Sequence, residues 1–554
     1  MRNRSFFFAS AAVVFMLWQS EFSSVRAQSQ PPAALTGTIT SAEEGTMEGV
    51  VVSARRQSST ATISVVSDGQ GRFSFPEPRL EPGHYAISIR AVGYELDGPA
   101  TADVAAEKTT TVDLQLRKTK KLASQLSNAE WIASMPGTDQ QKRFMLECTG
   151  CHTLERVVKS QYDASEFGPI LHRMVNYANM STPLNPQRRL AERSPGPPDV
   201  VSKRAEYLAS INLSGGVTWE YPLKTLPRPT GRATRVIMTE WDLPRKTMEP
   251  HDVIVASNGA VWFSNFGENF LAKFEPETGK VTEYKLPTVK PDAPKGTLDL
   301  NEDKDGNLWI ALMYQSGFAK FDPRTEQFEF WRIPPEFDHL AIQQSMVMAQ
   351  RSHVDGKVWT QDVDRRFVLR LDLKTGKFER VDPFKDLPKD QPHSAYGLKA
   401  DAQNNLYFMD FSHQNIGRID AETRESKLYP TPTPNSRPRR GMFDGEGRLW
   451  FGEYGANRIG MFDPATETFK EWEVPTAWSA PYDVAVDKNG EAWTGSMWTD
   501  RITRLDPKTG QFTEYLLPRS TNIRRVFVDN STTPVTFWVG SNHGASIIKL
   551  APLD

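Results

Sequence analysis

The sequence Gly447-Arg448-Leu449-Trp450-Phe451-Gly452-Glu453 is one copy of a unit that recurs from about residue 234 to the end of the chain. Each copy has a turn with Gly or Asn, a strand centred on an aromatic residue, a further strand and a turn similar to Asp-Pro-x-Thr-Gly. The aromatic residues follow one another at intervals of 43 to 50 residues, and they are Trp262, Trp309, Trp359, Tyr407, Trp450, Trp493 and Trp538. A period of about 40 to 50 residues with four strands per unit is typical of β-propeller blades. The repeat therefore predicts a seven-bladed β-propeller over residues 234–554.

The last copy of the repeat, from Trp538 to Leu550, has no outer strand of its own. Residues 235–241 precede the first copy and have the pattern of that strand, as in Phe512-Thr513-Glu514-Tyr515. We therefore predict that residues 235–241 complete the last blade and close the ring. Closure would leave no unpaired strand edge of the kind that an open array exposes.

In residues 259–263, 306–310 and 447–453 the repeat resembles the virginiamycin B lyase (streptogramin lyase) family of seven-bladed propellers. The resemblance implies a carbon–oxygen lyase that opens a cyclic ester by elimination. It further implies a His at the start of a blade as general base, a Glu three residues after the blade tryptophan, and Mg²⁺ that stabilises the developing enolate.

His251 and Glu453 are the candidate catalytic residues for this lyase reaction, because they occupy the two family positions. They lie in different blades: Asn265 stands where the partner of His251 belongs, and Arg439 stands where the partner of Glu453 belongs. No blade has the His–Glu pair, so the lyase reaction with its Mg²⁺ is an alternative and not the first hypothesis.

The equivalent positions of the other blades are expected to surround the central channel on the ligand-binding face of the propeller. The candidate ligand-binding residues there are Tyr396, Arg439, Tyr482, Arg524, Asp362 and Asp410. Arginine together with tyrosine suits an anionic or aromatic ligand. Alternatively, Asp and Arg near the axis pair with each other and hold the blades together, and the sequence leaves both interpretations open.

Residues 34–117 alternate apolar and polar positions between turn signals such as Ser67-Asp68-Gly69-Gln70-Gly71, a pattern that predicts a small antiparallel β-sandwich. The predicted strands lie at residues 49–54, 63–66, 72–75 and 85–89. Through Asp68-Gly69-Gln70-Gly71-Arg72-Phe73-Ser74-Phe75 the segment resembles the carboxypeptidase regulatory-like (transthyretin-like) domain. The resemblance implies a binding or spacer module without chemistry of its own.

Cys148-Thr149-Gly150-Cys151-His152, called the haem motif below, contains the only two cysteines of the chain. C-x-x-C-H is the attachment pattern of a c-type haem, in which both thiols reach the vinyl groups of one porphyrin and the histidine reaches the iron. The alternatives are a redox dithiol and a small disulfide, whereas a zinc site would need a second ligand pair. We expect one covalent haem c, with Cys148 and Cys151 as attachment points and His152 as the proximal ligand.

Residues 122–214 have helical periodicity around the haem motif and predict a small all-α domain. The predicted helices lie at residues 140–146, 165–177 and 198–211. This order resembles a class I cytochrome c, which implies an electron-transfer haem with a second axial ligand that is most often Met.

Met174 and Met180 are the alternative distal ligands of the iron. Arg173-Met174 matches the arginine–methionine pair that small cytochromes carry on the middle helix, and this favours Met174. Met180 lies in a loop like the methionine loop of other class I members. Core packing of Met174, ligation by His172 and an open sixth site are the remaining interpretations.

The N-terminus has the pattern of a signal peptide over residues 1–27, with Arg2 and Arg4, the apolar residues 6–18 and then Val25-Arg26-Ala27. A membrane-spanning helix needs about 20 apolar residues, and no later stretch approaches that length. We therefore expect an exported, periplasmic protein, because oxidising conditions suit covalent haem attachment. An uncleaved N-terminal anchor is the alternative.

A formal net charge of −2 at pH 7 gives no general basis for nucleic-acid binding. We predict an exported c-type cytochrome that transfers single electrons, with a propeller that binds a small-molecule substrate or a redox partner protein. The alternatives are the lyase and a non-catalytic binding scaffold. Whether the chain is an enzyme stays open, because an oxidase would need a further cofactor in the propeller and no P-loop or dinucleotide motif is present.

Overall fold

Strands form most of the regular structure in the computed structural model, which describes residues 32–213, 221–363 and 365–554. The predicted signal peptide, residues 1–27, lies outside the described residues, as does residue 214, the predicted end of the all-α domain. Within the described ranges, no helix is both long enough and apolar enough to cross a membrane.

The N-terminal part is built of short strands that pair mostly antiparallel. Its elements are β1 (Ala33–Ser41), β2 (Gly45–Thr46), β3 (Val51–Arg56), β4 (Ala61–Val66), β5 (Arg72–Pro76), a 3-10 turn (Glu77–Arg79), β6 (Gly83–Arg90), β7 (Tyr94–Leu96), β8 (Ala100–Val104), β9 (Thr110–Thr111) and β10 (Leu114–Lys118). β1, β2, β5, β7, β9 and β10 form one sheet, while β4, β3, β6 and β8 belong to a second. Apolar side chains from both sheets, such as Leu35 and Val52, pack into one core. The four strands predicted here are confirmed as β3 to β6.

Residues 122–213, called the helical segment below, come next in the chain. Their elements are a 3-10 helix (Leu122–Gln125), α1 (Asn128–Ser134), α2 (Asp139–Lys142), a 3-10 helix (Arg143–Gly150), α3 (Leu154–Val158), α4 (Ala164–Val175) and α5 (Pro198–Ile211). α4 and α5 confirm two predicted helices. The side chain of Asp163 caps α4 by accepting from the N–H of Glu166, and Pro198 opens α5.

The helix predicted at residues 140–146 differs from what the structure contains. α2 is a single turn, and a 3-10 helix then carries the chain through Cys148 as far as Gly150. Thr149 and Gly150 stabilise an α-helix poorly, so the tighter 3-10 turn takes over where the haem motif lies.

The remaining strands form a series of antiparallel sheets in which each strand pairs with the next one along the chain. After a 3-10 helix (Gly231–Thr234) the elements are β11 (Val236–Asp242), β12 (Pro250–Val255), β13 (Val261–Asn265), β14 (Phe270–Glu275), β15 (Lys280–Lys285), β16 (Leu300–Glu302), β17 (Leu308–Ala311), β18 (Gly317–Asp322), β19 (Gln327–Arg332), β20 (Gln344–Met348), α6 (Ser352–Asp355), β21 (Lys357–Asp362), β22 (Val368–Asp372), β23 (Phe378–Val381), β24 (Ala395–Ala400), β25 (Leu406–Asp410), β26 (Asn415–Ile419), β27 (Ser426–Pro430), β28 (Pro438–Phe443), β29 (Leu449–Glu453), β30 (Arg458–Asp463), β31 (Thr468–Glu473), β32 (Pro481–Val486), β33 (Ala492–Ser496), β34 (Arg501–Asp506), β35 (Gln511–Leu516), β36 (Phe527–Asp529), β37 (Thr536–Ser541) and β38 (Ser546–Pro552).

These sheets are arranged as the blades of a propeller. Blade 1 is β12–β15, blades 2 to 6 follow in groups of four strands, and β36–β38 begin blade 7. The first strand of each blade contacts the first strand of the next, and β36 of blade 7 contacts β12 of blade 1. The first strands therefore form a closed ring, as the repeat predicts.

The aromatic residues of the repeat all lie on the second strand of their blades, on β13, β17, β21, β25, β29, β33 and β37. Trp309, Trp450 and Trp493 each donate their indole N–H to the aspartate six residues earlier, at 2.8 to 2.9 Å. That aspartate belongs to the turn before the strand. The bond therefore ties the turn to the buried centre of the blade, which explains why turn and tryptophan recur together.

β11 closes the ring, as predicted for residues 235–241. It pairs along its whole length with β38, in a register that places Thr239 opposite Lys549. Its other edge pairs with β4, where Thr239 lies opposite Ile63. Blade 7 and the second N-terminal sheet are therefore one continuous sheet of eight strands, a junction that the sequence did not predict.

The helical segment packs directly on the propeller. Trp131 and Leu208 of the helical segment share one apolar core with Phe266 and Trp498 of the propeller. The backbone N–H of Ala129 donates to the carbonyl of Trp498 at 2.9 Å. This contact brings the haem motif and one face of the propeller together.

Candidate functional site

A cavity of about 1790 Å³ lies between the helical segment and the propeller. One side is lined by Cys148, Cys151 and His152 of the haem motif and by Met174 of α4. The other side is lined by the candidate ligand-binding residues Tyr396, Arg439, Tyr482 and Arg524, called the propeller wall below. Pockets for small organic ligands usually measure about 300–1,000 Å³, so this cavity has room for a large ligand or for two.

Cys148 and Cys151 are free thiols in the cavity wall. Burial raises the pKa of Cys148 to about 12 and also raises the pKa of Cys151. Redox-active C-x-x-C pairs have a thiol whose pKa is lowered, because the thiolate is the reacting species. The surroundings of these cysteines therefore argue against the redox-dithiol interpretation.

His152 has one ring nitrogen engaged by the backbone. Its Nδ1 lies 3.0 Å from the carbonyl oxygen of Thr153, which can only accept, so Nδ1 carries the proton. Burial lowers the pKa of His152 and favours the neutral ring. A neutral imidazole that donates through Nδ1 to a carbonyl has Nε2 available for a metal, the usual arrangement of a metal-binding histidine.

The two candidate distal ligands have different surroundings. Met174 lines the cavity. Met180 is fully buried in the core shared with the propeller, and a Cβ atom at Gly296 would lie 3.2 Å from its Cε. Of these two methionines, only Met174 lines the cavity that the haem motif also lines.

Three side chains of blade 7 hold the backbone of the haem motif. Asn522 Nδ2 donates to the carbonyl of Thr149 at 3.1 Å. Arg524 and His543 both donate to the carbonyl of Gly150, His543 through Nε2 at 3.2 Å. Burial lowers the pKa of His543 to about 3, so this donor stays neutral. No sequence spacing marked Asn522 or His543 for this role.

Tyr396 and Tyr482 of the propeller wall are joined by a hydrogen bond of 2.9 Å between their hydroxyl groups. Burial disfavours both phenolates and raises the pKa of Tyr396. For Tyr482, Arg439, Arg524 and Arg440 outweigh burial and lower the pKa. The propeller wall is therefore electropositive at the hydroxyl of Tyr482.

His251 lies behind the propeller wall and does not line the cavity. It is fully buried, with Nδ1 2.6 Å from Asp252 Oδ1, and its Nε2 has no hydrogen-bond partner. Burial lowers the pKa of His251 to about 4. Its ring lies 4.7 Å from that of Phe266 and 6.4 Å from that of Tyr482, measured between centroids.

Glu453 lies in blade 5, whereas His251 lies in blade 1. Both carboxylate oxygens of Glu453 are buried without a hydrogen-bond partner. Burial, together with the carboxylate of Glu471, raises the pKa of Glu453 to about 9. The structure does not bring the two candidate catalytic residues together in the cavity.

Asp362 and Asp410 are buried and accept from histidines. His339 donates to Asp362, and His393 Nδ1 lies 2.6 Å from Asp410 Oδ2. The ring of His393 stacks on that of His413, with 4.8 Å between centroids. The two histidines precede their aspartates by 23 and 17 residues. Because these spacings differ, the repeat does not predict the pairs.

The central channel contains a buried ionic cluster. Arg440 donates to Asp252 at 3.1 and 3.2 Å and to Asp299 at 2.6 Å. Arg525 lies 2.8 Å from Asp252, 3.2 Å from Asp299 and 3.2 Å from Asp483. These ion pairs join different blades across the axis. The sequence analysis gave Asp–Arg pairing as one of two interpretations of the channel residues, but the residues that pair are not the ones it named.

A sequence signal for this cluster was available. Asp252, Asp299, Arg440, Asp483 and Arg525 each follow directly after a blade-start position. The pairing register of the first strand shifts at this point, between Pro250 and Val253, between Pro438 and Gly441 and between Pro481 and Val484. Among the described residues, no three His, Cys, Asp or Glu side chains form a cluster that could hold a metal ion.

The sequence pattern of the virginiamycin B lyase family matches residues 385–552, and that of the carboxypeptidase regulatory-like domain matches residues 34–117. No curated protein matches the chain. Among solved structures, a streptogramin B lyase is 20% identical over 58% of this chain and 100% of its own, with a TM-score of 0.49. Selenomethionine-substituted virginiamycin B lyase from Staphylococcus aureus is 21% identical over 57% of this chain and 99% of its own, with a TM-score of 0.48.

YCF48 from Cyanidioschyzon merolae is 11% identical over 57% of this chain and 99% of its own, with a TM-score of 0.46. The predicted N-terminal domain is confirmed by the match over residues 34–117. The chain is thus similar to the virginiamycin B lyase family over residues 385–552 and carries a carboxypeptidase regulatory-like domain at residues 34–117.

Proposed function

We propose that this protein is an exported c-type cytochrome that carries single electrons in the periplasm. Cys148 and Cys151 would bind one haem covalently, and His152 would be the proximal ligand of its iron. The observation that carries the proposal is that both thiols, His152 and Met174 line one large cavity. Sequence spacing puts the first three together, but only the fold brings Met174 to them.

The cavity suits a flat, largely apolar group with acidic substituents. Leu146, Phe167, Ile170 and Leu171 supply apolar surface next to the haem motif. Arginines of the helical segment and of the propeller wall line the same cavity and suit carboxylates. When bound, haem supplies an iron that changes between its ferric and ferrous states by one electron.

The residues of the chain would hold and tune this group. The Nδ1–H of His152 donates to the carbonyl of Thr153, which orients the ring and strengthens Nε2 as a ligand. Met174 would supply a thioether ligand, which raises the reduction potential of the iron. Asn522 and Arg524 hold the carbonyls of Thr149 and Gly150, so the propeller would fix the proximal loop.

The propeller would bind a small-molecule substrate or dock a redox partner through the propeller wall. The lyase alternative has weaker support, because His251 lies outside the cavity and has no glutamate partner in its blade. The family match over residues 385–552 includes Glu453 but not His251. Electron transfer therefore remains the first hypothesis.

Replacing Cys148 and Cys151 with Ala is expected to abolish covalent haem, because thioether bonds need both thiols. The full chain would be expressed with haem-maturation factors, and haem would be stained after denaturing electrophoresis. A c-type absorption spectrum in the wild-type protein, lost in the double variant, would support the proposal. Wild-type protein without covalent haem, or haem staining retained in the double variant, would contradict it.

A further inference from the structure

Arg439 of β28 has an unusual position in the propeller wall. Its guanidinium carbon lies 3.9 Å from the ring centroid of Tyr482, 4.3 Å from that of Phe411 and 4.5 Å from that of Tyr454. Its Nε is buried without a hydrogen-bond partner. In the described part of the chain, no carboxylate lies within ion-pair distance of this guanidinium.

The neighbouring arginines all donate to partners within the protein. Arg437 lies 3.2 Å from Glu147. Arg440 is paired with two buried aspartates of the channel. Arg524 donates to the side chain of Asn522 at 2.9 Å and to the backbone of the haem motif. Of these four arginines, Arg439 is the one whose donors point to nothing in the protein.

Arg439 is partly buried and its Nε is fully so, and a guanidinium that loses water without gaining an anion is destabilised. Cation–π contacts with the three rings recover only part of this free energy. The three rings supply no anion to the N–H edge of the guanidinium. That edge is a planar fork of donors, which matches the two oxygens of a carboxylate.

The charge of the cavity favours the same kind of ligand. Among the described residues that line it, nine arginines and one lysine face two glutamates, Glu147 and Glu206. The whole chain, in contrast, has a formal net charge of −2. Basic residues are therefore concentrated at this cavity, where they attract anions.

We propose that Arg439 is a carboxylate-binding residue and that the cavity takes an organic acid there. The carboxylate could come from a haem propionate or from a separate small molecule in the cavity. Only the haem propionate depends on the proposed function. A free acid would bind at Arg439 whether or not haem is attached.

Benzoate is a suitable probe, and its binding can be measured by titration calorimetry. It would be titrated into the haem-loaded wild-type protein and into the haem-free variant in which Cys148 and Cys151 are Ala. Arg439→Gln removes the charge, whereas Arg439→Lys keeps the charge but loses the planar fork. Arg458→Gln is the matched control, because Arg458 pairs with Glu473 on the surface at 2.8 Å, away from the cavity.

We expect benzoate to bind the haem-loaded protein and to bind at least about tenfold more weakly to Arg439→Gln, since a charge-assisted hydrogen bond contributes about 1.5–3 kcal/mol. Arg439→Lys should lie between the two, and Arg458→Gln should equal the wild type. Benzyl alcohol, which has the ring but no carboxylate, should bind the wild-type protein at least about tenfold more weakly than benzoate does.

Binding to the haem-free variant alone, again dependent on Arg439, would identify a haem propionate as the natural occupant. The proposal is overturned if neither form binds benzoate, if Arg439→Gln binds as the wild type does, or if benzyl alcohol binds equally well. Should the wild-type chain acquire no covalent haem, the proposed function fails while benzoate binding still tests Arg439.

Discussion

Met174 and Met180 differ in one respect that decides which can reach an iron atom: Met174 faces the cavity and Met180 is packed against the propeller. Met174→Ala is expected to abolish the weak absorption band of methionine-ligated ferric haem. It should also lower the reduction potential, because thioether ligation raises it. Visible spectroscopy and redox titration of the haem-loaded protein measure both effects.

Met180→Ala is the control for this substitution. It removes a fully buried side chain, so it should lower the free energy of unfolding by about 2–5 kcal/mol and leave the absorption band unchanged. A band that survives in Met174→Ala and disappears in Met180→Ala would show that the loop methionine is the ligand.

At the residue scale, the sequence predicted the propeller wall but not the ionic cluster of the channel. The repeat located Tyr396, Arg439, Tyr482 and Arg524, because their positions recur at the start of each blade and the fold carries them to one face. The ionic cluster one residue further along was missed, although Arg440 and its equivalents share a common position. The strand pairing is irregular at these residues, and a local irregularity of this kind has no period in the sequence.

At the scale of elements, β11 was predictable as the closing strand but not as a junction. The sequence shows that the last repeat lacks an outer strand and that residues 235–241 have the pattern of one. The pairing of β11 with β4 joins the exposed edges of two domains, and nothing in either strand specifies which edge it meets. The helices α4 and α5 were predictable because apolar periodicity and their N-terminal residues agree.

β11 is now a central strand, so a proline there should damage two interfaces. Thr239 lies in a strand that is paired on both edges. Thr239→Pro removes the backbone N–H that bonds to one neighbouring strand, and the proline ring disturbs the pairing with the other. We expect the free energy of unfolding to fall by about 1–3 kcal/mol, the cost of leaving a buried hydrogen-bonding group without its partner. Urea unfolding followed by tryptophan fluorescence measures this change.

Thr239→Ala is the matched control, because it keeps the backbone N–H and removes only the side chain. It should unfold close to the wild-type urea concentration. Equal stability of the proline and alanine variants would mean that β11 is not held at both edges, and the continuous sheet of eight strands would be wrong.

At the scale of the whole molecule, the cavity depends on how the helical segment sits on the propeller. The haem motif and the propeller wall were each found from the sequence, in separate parts of the chain. Their meeting could not be predicted, because the contacts between Asn522, Arg524 and His543 and the motif backbone have no period and no motif. Carbonyl groups accept these bonds, and the sequence does not mark which carbonyls are left without partners.

These contacts make the propeller part of the proposed haem site, which leads to a prediction about local opening. In the double variant Asn522→Ala with His543→Ala, the carbonyls of Thr149 and Gly150 lose two of their three propeller donors. Each hydrogen bond contributes about 1 kcal/mol, so amide hydrogens of residues 143–152 should exchange about 30-fold faster. Hydrogen–deuterium exchange of the haem-loaded protein measures this rate.

Asn530→Ala is the control from the same blade, because Asn530 accepts from the N–H of Lys488 in a surface turn and does not touch the motif. It should leave exchange of residues 143–152 unchanged. If the double variant exchanges at the wild-type rate, Asn522 and His543 do not hold the haem motif in place. A faster rate would instead mean that the seventh blade holds the haem motif through its backbone.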